Sequence, residues 1–439
     1  MTAGTDLVAA RGSLDTAAGS ESALGVPPAR AQAQMKLAFY INSLAQGGAE
    51  RIALLLAESF GAAERPSIVI TDTAPERDFY THDARVVRIG LETQTRKAPV
   101  TAAGHPSSMW QKVALRPLRS ILRSARTLRR LRRHLRAQKP DVLVTMLPHP
   151  NILGIVAARS AGVPVIACER NYPPARPLSP FWAVARWLVY RKATGHVAQT
   201  QGIADWLTRR VAARNVTIIP NPLRFPLGRH EPVIAPETVL PADRRVILAV
   251  GSKCWQKGFD RLPAIFAPLA RAHPDWDLVI LGMHAIFPED RTAEARLHRE
   301  IAAQGLGGRI HIVPKAGNVG DWYARAEIFA LTSRFEGFPN VLLEAMAHEL
   351  PAIAFDCPTG PGDILRHGQN GLLIADGDCD AFGAALSDLV GDAEGRARLG
   401  AQARDVRQEY EEAAILQKWR AALEQVRPAP ALQPAARQT

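Results

Sequence analysis

Residues 328–347 read IFALTSRFEGFPNVLLEAMA. Ile328–Thr332 is an apolar run of strand length. Gly337 and Pro339 then interrupt any regular period and set an irregular turn. Val341–His348 returns to apolar residues at helical spacing. The segment predicts a buried strand, a turn and a helix in succession. One such unit cannot cover both faces of its own strand. Repetition of the unit builds a parallel sheet with helices on either side.

The unit does repeat. Leu37–Ile41, Ser67–Ile70, Val86–Ile89, Val142–Thr145, Val165–Ala167, His196–Ala198 and Val216–Ile219 read as buried strands in the first half. Val246–Val250, Leu278–Leu281, Ile310–Val313, Ala352–Phe355 and Leu372–Ile374 do so in the second. Pro220–Arg245 breaks the alternation, with several prolines and no period, which is a linker composition. The expected fold is α/β: two Rossmann-like domains facing a cleft, with ligands at the carboxyl ends of the strands. The expected boundaries are a disordered leader over 1–34, an N-terminal domain over 35–222, a linker over 223–244, a C-terminal domain over 245–410, and a helix with a loose tail over 411–439. The leader is rich in Ala, Gly, Ser and Thr, with too few large apolar side chains to fold alone.

At 439 residues the chain has room for two or three domains of roughly 100–200 residues. Hydrophobic residues make up 47% and charged residues 22%, so the core needs no disulfide or metal staple. Cys168, Cys254, Cys357 and Cys379 lie far apart with no C-x-x-C pair, which argues against a zinc site and for a reducing compartment. No apolar run reaches the roughly 18 residues that span a bilayer. No basic segment followed by an apolar stretch opens the chain. The expected location is the cytoplasm. A net charge of +12 favours an anionic partner: nucleic acid, lipid head groups or a phosphorylated substrate. No RNA- or DNA-binding motif accompanies that charge, so nucleic acid is not expected.

Gln46-Gly47-Gly48-Ala49-Glu50 follows the first strand and opens a helix. Adjacent glycines let the backbone approach a ligand, and a helix N-terminus presents free N–H groups. A tight strand-to-helix turn would use the same glycines. The spacing is not G-x-G-x-x-G, so dinucleotide binding is not supported. Gly251-Ser252-Lys253-Cys254-Trp255-Gln256-Lys257-Gly258 follows Val246–Val250 and sets two lysines beside a glycine turn. Lysine is a flexible point charge suited to phosphate oxygens; a solvated surface loop has a similar composition. In the opening segment Glu336 lies in the turn and Glu344 about one turn inside the helix. Carboxylates there can accept hydrogen bonds from sugar or ribose hydroxyls, and amides at the helix start can face phosphate. Alternatively, Glu336 stabilises the helix dipole and Glu344 is an ordinary helix glutamate.

The two glutamates, in the context S-R-F-E-G-F-P-N-V-L-L-E-A-M-A, resemble the E-x7-E signature of family 4 retaining glycosyltransferases of the GT-B fold. The G-G-A-E loop, the strand–Gly–(x)–Lys-Gly motif and Asn370-Gly371-Leu372-Leu373 stand in that family's order, across residues 36–410. Asn42–Arg51, Glu169-Arg170-Asn171 and Asp356-Cys357-Pro358 more closely resemble bacterial enzymes that build lipid-linked glycans, N-acetylgalactosaminyl and hexosyl transferases among them. The resemblance implies a nucleotide-sugar donor, uridine-linked by analogy. It implies a saccharide or polyprenyl-diphosphate-linked acceptor, retention of anomeric configuration and no metal cofactor. Lys257 would bind the donor diphosphate, and Glu336 would contact the transferred sugar. Gly337, Phe338, Pro339, Asn340 and Val341 would supply the supporting loop, and Glu344 would bind the ribose. Gly47, Gly48 and Gly251 complete the expected donor site. The family commonly has an arginine directly after the glycine at position 251. Ser252 stands there in this chain, so Lys253 is the expected second phosphate cation. Without a metal, fixed cations and amides must stabilise the departing nucleoside diphosphate. Asp376-Gly377-Asp378-Cys379-Asp380 has metal-like spacing but lacks the rest of a calcium loop, and turn and cap use is expected.

On the acceptor side, His149 in Leu147-Pro148-His149-Pro150-Asn151 follows the strand Val142–Thr145. It is the candidate base or proton relay, with a structural loop histidine as the other reading. Glu169, Arg170 and Asn171 follow another strand and are expected to face the cleft as acceptor contacts. Arg170 either grips an acceptor diphosphate or pairs with Glu169. Lys112–Lys139 is arginine-rich without Asp or Glu, and Leu115, Leu118, Leu122, Ala125, Leu128, Leu131 and Leu135 recur at helical spacing. Such a helix lies on an anionic membrane surface, or packs its stripe on the sheet with arginines in water; the two are compatible. Pro180–Lys192 carries Phe181, Trp182, Trp187 and Tyr190, and borders membrane or acceptor lipid, or belongs to the core. The expected function is transfer of a hexose or N-acetylhexosamine to a lipid-linked or cell-surface polysaccharide, on the inner face of the cell membrane. A silent sugar-nucleotide binder, a sugar-nucleotide epimerase and, last, a nucleic-acid binder are the alternatives.

Overall fold

The computed structural model describes residues 35–45, 47–92, 116–285 and 287–427, with side chains of the helix that begins at Arg116 described from residue 121. The expected leader, the tail beyond residue 427, and Lys112 to Leu115 of the basic segment lie outside the described residues.

Each strand expected from the sequence is present. β1 (Leu37–Ile41), β2 (Ser67–Thr71), β3 (Val86–Gly90), β4 (Val142–Met146), β5 (Val165–Cys168), β6 (Gly195–Ala198) and β7 (Val216–Ile218) form one parallel sheet, in the order β3-β2-β1-β4-β5-β6-β7. β8 (Arg245–Val250), β9 (Trp276–Leu281), β10 (Ile310–Val313), β11 (Ile328–Leu331), β12 (Ala352–Asp356) and β13 (Leu372–Ala375) form a second, in the order β10-β9-β8-β11-β12-β13. Every residue of β1, β4 and β9 is buried, because helices cover both faces. The central strands therefore read as unbroken apolar runs rather than as alternating ones.

Among the described residues, α1 (Gly48–Phe60), α2 (Arg116–Gln138), α3 (Pro148–Ala161), α4 (Pro180–Tyr190) and α5 (Gln201–Val211) flank the first sheet. In the second domain α6 (Cys254–Lys257) follows β8 and α7 (Asn340–Ala347) follows β11. The strand order reverses between β1 and β4, and again between β8 and β11. At such a point the neighbouring loops diverge to opposite faces and leave a crevice at the carboxyl edge. Gly47, Gly48 and His149 stand at the first reversal, and Gly251–Lys257 and Ser333–Asn340 at the second.

The chain then returns. In α8 (Glu412–Val426), Ile415, Trp419 and Leu423 are buried with Phe39, Ile166 and Val197 of the first sheet. The proline-rich residues 223–244 are also packed: Leu223 and Leu240 share a core with Trp322 and Phe329. The carbonyl of Ile234 accepts from Asn318 Nδ2 and Trp322 Nε1, both at 3.0 Å. Prolines remove the helical period there without making the segment a free tether.

The basic helix divides along its length. In α2 Thr127, Leu131 and Leu135 are buried, whereas Ile121 and Leu122 are about half exposed. Arg123, Arg126, Arg129 and Arg133 face solvent. α4 divides by face: Tyr190 is buried and Trp182 partly so, while Phe181 and Trp187 are exposed.

Candidate active site

β8 ends at Val250, and the chain turns through Gly251 into the short helix α6. The side chain of Lys257 folds back over that glycine: a Cβ at position 251 would stand 2.7 Å from Lys257 Cγ. Glycine thus makes room for the lysine stem. Gly258 ends the helix at φ +68°, in the left-handed region, and a Cβ there would meet the Thr332 carbonyl at 2.0 Å. The loops after β8 and β11 are therefore in backbone contact.

That contact delivers the central pair. Lys257 Nζ donates to Glu336 Oε1 at 2.7 Å, and Ser333 Oγ donates to the same oxygen at 2.6 Å. Both charged side chains are largely buried. Thr359 Oγ1 donates to the Glu336 carbonyl and holds the loop from its far side. Lys253 precedes α6, with its ammonium 5.7 Å from the centre of the Phe287 ring. Burial, reinforced by Arg176, pushes its pKa below the usual lysine range. A cation held so is poised to gain from a polyanionic ligand.

Glu344 lies one turn into α7. Its Oε1 accepts from Arg51 Nη2 of α1 at 2.6 Å, and its Oε2 accepts from the Tyr323 hydroxyl at 3.2 Å. Asn340, at the start of α7, accepts from Asn221 Nδ2 at 2.6 Å through its side-chain oxygen. Asn221 in turn accepts from Arg170 Nη2 and from Gln199 Nε2. Gly337 abuts the first domain directly, since a Cβ there would stand 2.2 Å from the Arg170 carbonyl. Gly48 faces Asn340 across the crevice, with a Cβ at position 48 standing 3.6 Å from its Nδ2. The Glu50 carboxyl curls over Gly47, and burial raises its pKa above the usual carboxylate range. Phe338 is buried, while Val341 packs at the edge of the second core.

The acceptor-side expectations need correction. His149 is in the first turn of α3 rather than in a loop, because Pro148 starts the helix. Its ring packs edge-on against Trp182 at 4.7 Å, and burial lowers its pKa. Glu169 does not face the crevice: it is 1% exposed and accepts from the Tyr190 hydroxyl at 2.5 Å. Burial pushes its pKa up to about 7. Arg170 does not pair with it but turns to Asn221, and burial lowers it to about 10. Asn171 is half-buried beside Gly337.

Arg51, Asn221, Ser333 and Lys315 belong to this constellation and were not singled out by sequence. Lys315, just past β10, sits 4.4 Å from the Phe79 ring, and burial with nearby Arg51 lowers it to about 8. Arg51 directly follows G-G-A-E, and Lys315 stands two residues past a strand end, so position was the available signal. Asn221 sits in a proline-rich stretch without pattern and offered none. Asp378 caps the helix at Cys379–Gly391, accepting from Ala381 N at 2.9 Å. Among the described residues no cluster of His, Cys, Asp and Glu is arranged to hold a metal ion.

Residues 47–222 match the glycosyl transferase 4-like domain, and residues 231–406 match the glycosyl transferases group 1 domain. The amylovoran biosynthesis glycosyltransferase AmsD of Erwinia amylovora is 31% identical over 234 residues, which covers 52% of this chain and 62% of that protein. A GalNAc-alpha-(1->4)-GalNAc-alpha-(1->3)-diNAcBac-PP-undecaprenol alpha-1,4-N-acetyl-D-galactosaminyltransferase of Campylobacter jejuni is 24% identical over 386 residues, covering 88% of this chain and 97% of that one. The first curated relatives are matched over less than two thirds of their own length. The Anabaena protein HepE, solved with UDP-glucose, is similar in fold, with a TM-score of 0.68 at 19% identity over 89% of this chain and 99% of that one.

Proposed function

We infer the activity from one premise: the chain belongs to the GT-B glycosyltransferases that join a glycosyl transferase 4-like domain to a group 1 domain. On that premise it moves a hexose or N-acetylhexosamine from a nucleoside diphosphate sugar to a saccharide acceptor, with retention at the anomeric carbon. The observation that carries this reading is the Lys257–Glu336 contact at 2.7 Å, set where the strand order reverses. Lys257 and Lys253 would take the diphosphate, Glu336 the transferred sugar, and Glu344 the ribose. The amides opening α7 add partial positive charge toward the leaving group. Fixed cations would stabilise the departing diphosphate without a metal. His149, kept neutral by burial, would accept the acceptor proton.

The HepE complex supports uridine as the base. The names of the Erwinia and Campylobacter relatives support a polysaccharide or a polyprenyl-diphosphate-linked acceptor. Among the described residues no helix is long and apolar enough to cross a membrane. The exposed Ile121 and Leu122 beside the arginines of α2 favour peripheral attachment to an anionic membrane, on its cytoplasmic face. Nothing in the reading calls on nucleic acid.

The test is a screen of nucleotide-sugars with purified protein and membrane extract from the host, read by nucleotide release and product mass. Transfer from one donor, lost in Glu336→Ala, is expected. Donor binding without nucleotide release would return the chain to a silent binder, and a product formed without an acceptor to an epimerase.

A further inference from the structure

Beside the crevice lies a second, open groove of about 690 Å³, with Tyr172, Leu178, Arg186, Trp206, Arg209 and Arg210 among its walls. It is built from the loop after β5 together with α4 and α5, and runs from the carboxyl edge of the first sheet, where α5 begins, to the last turn of α5, which holds Arg209 and Arg210. Its rim reaches the donor loops. The same β5 loop contains Arg170, whose carbonyl abuts Gly337, and a Cβ on Gly202 of α5 would stand 2.7 Å from Thr359 Cγ2.

The groove has two chemistries. Arg186, Arg209 and Arg210 line it against a single acid, Asp205, which already accepts from Gln201 at 2.7 Å and Arg209 at 3.4 Å. Arg186 is only 7% exposed and lies 4.5 Å over the Trp206 ring, and its Nη1 has no hydrogen-bond partner. A buried guanidinium with unfilled donor capacity is uncommon in a finished core. Tyr172, Leu178 and Trp206 supply the second chemistry, an apolar and aromatic wall.

The apolar wall continues outside. Ala183 and Arg186 of α4 line the groove, and Phe181, Val184, Trp187 and Leu188 on the next face of that helix are 59%, 58%, 49% and 47% exposed. Four large apolar side chains side by side in water mark a surface that meets something apolar. Cations in a pocket and a bare apolar strip at its mouth fit an amphiphilic anion.

We propose that this groove binds the diphosphate of a lipid-linked acceptor, with the first isoprenoid units lying along the outer face of α4. The inference rests on the acceptor reading above and gives that acceptor its place. Arg209 lies in the last turn of α5, about 10 Å along the helix from Gly202, so the diphosphate sits that far below the crevice rim and the saccharide it carries spans the distance to the donor.

The test is calorimetric titration of the full chain with farnesyl diphosphate, farnesol and inorganic pyrophosphate, with UDP titrated in parallel. Farnesyl diphosphate should bind most tightly of the three acceptor probes. Arg209→Glu with Arg210→Glu, both exposed, should weaken it about tenfold while UDP binding holds. Trp187→Asp with Leu188→Asp should weaken farnesyl diphosphate and leave pyrophosphate unchanged. Unchanged farnesyl diphosphate affinity in both variants would overturn the proposal. So would an equal loss on phosphatidylglycerol vesicles without any diphosphate lipid, which would make the groove a general head-group surface. Failure of UDP to bind the unaltered chain would count against the donor reading and leave the groove result standing.

Discussion

Arg51 Nη2 lies 2.6 Å from Glu344 Oε1, so the first helix of one sheet is ion-paired to the helix after β11 of the other. The opposite carboxylate oxygen accepts from Tyr323. Both oxygens are engaged, and a ribose hydroxyl arriving at Glu344 must share or displace these donors. The first and second domains therefore compete with ligand for one carboxylate.

Arg51→Met should tighten nucleoside diphosphate binding a few-fold, because it removes the competitor, while Glu344→Gln should weaken it by about tenfold. The arginine is 46% exposed, so solvent screens the pair and its loss should change stability by about 1 kcal/mol or less. Titration with UDP reads the first effect and denaturant midpoints the second. Weaker binding in Arg51→Met would show that the pair holds the crevice closed instead.

Lys257→Ala should lower kcat by about a hundredfold or more, the scale of removing one fixed electrostatic group from a reacting centre. Glu336→Ala should do likewise, since it takes away the partner of both Lys257 and Ser333. Retained far-ultraviolet dichroism would separate lost chemistry from lost folding. Near-normal turnover by both variants would remove this pair from the reaction.

Two glycines in one loop should behave differently. A methyl at position 251 meets only the flexible stem of Lys257, at 2.7 to 3.0 Å, so Gly251→Ala should displace the lysine and lower kcat with little change in melting temperature. A methyl at position 258 meets the Thr332 carbonyl at 2.0 Å from a left-handed backbone. Gly258→Ala should therefore destabilise the fold by about 2 kcal/mol or more. Equal effects of the two on stability would contradict the geometry.

The sheets were legible because central strands buried on both faces leave unbroken apolar runs, as in Leu37–Ile41 and Ala352–Phe355. The donor loops were legible because glycine, proline and charge cluster after those runs. What spacing hid was set by tertiary contact. Glu169 follows a strand as a crevice residue would, yet Tyr190 from α4 draws it inward. Arg170 has a carboxylate neighbour in sequence, but Asn221 reaches it across 51 positions. The heptad-like leucines of α2 bury at Leu131 and Leu135, which join the core under the first sheet, and emerge at Leu122.

That bare end of α2 gives a membrane test. Replacing Arg123, Arg126, Arg129 and Arg133 by Glu should weaken sedimentation with phosphatidylglycerol vesicles, in proportion to falling salt, and leave neutral vesicles unaffected. Arg130 is spared because it donates to the Leu91 carbonyl and supports the fold. Unchanged sedimentation would place α2 in solvent and leave the membrane reading without its cationic surface.

Glu169 predicts how stability follows pH. Burial raises its pKa to about 7, against about 4.3 for a free glutamic acid. Between those values the unfolded chain releases a proton that the folded chain keeps. Stability from this group is therefore present below the lower value, falls as pH rises through the window, and levels off above the upper one. Glu169→Gln still lets Tyr190 donate to a side-chain oxygen but has no proton to hold. The melting temperature of the variant, relative to the parent, should rise between about pH 5 and about pH 8. Other titrating groups are common to both proteins and cancel in that difference. A difference that stays flat across the window would mean that Glu169 ionises at its ordinary pKa, and so that water reaches it in the folded chain.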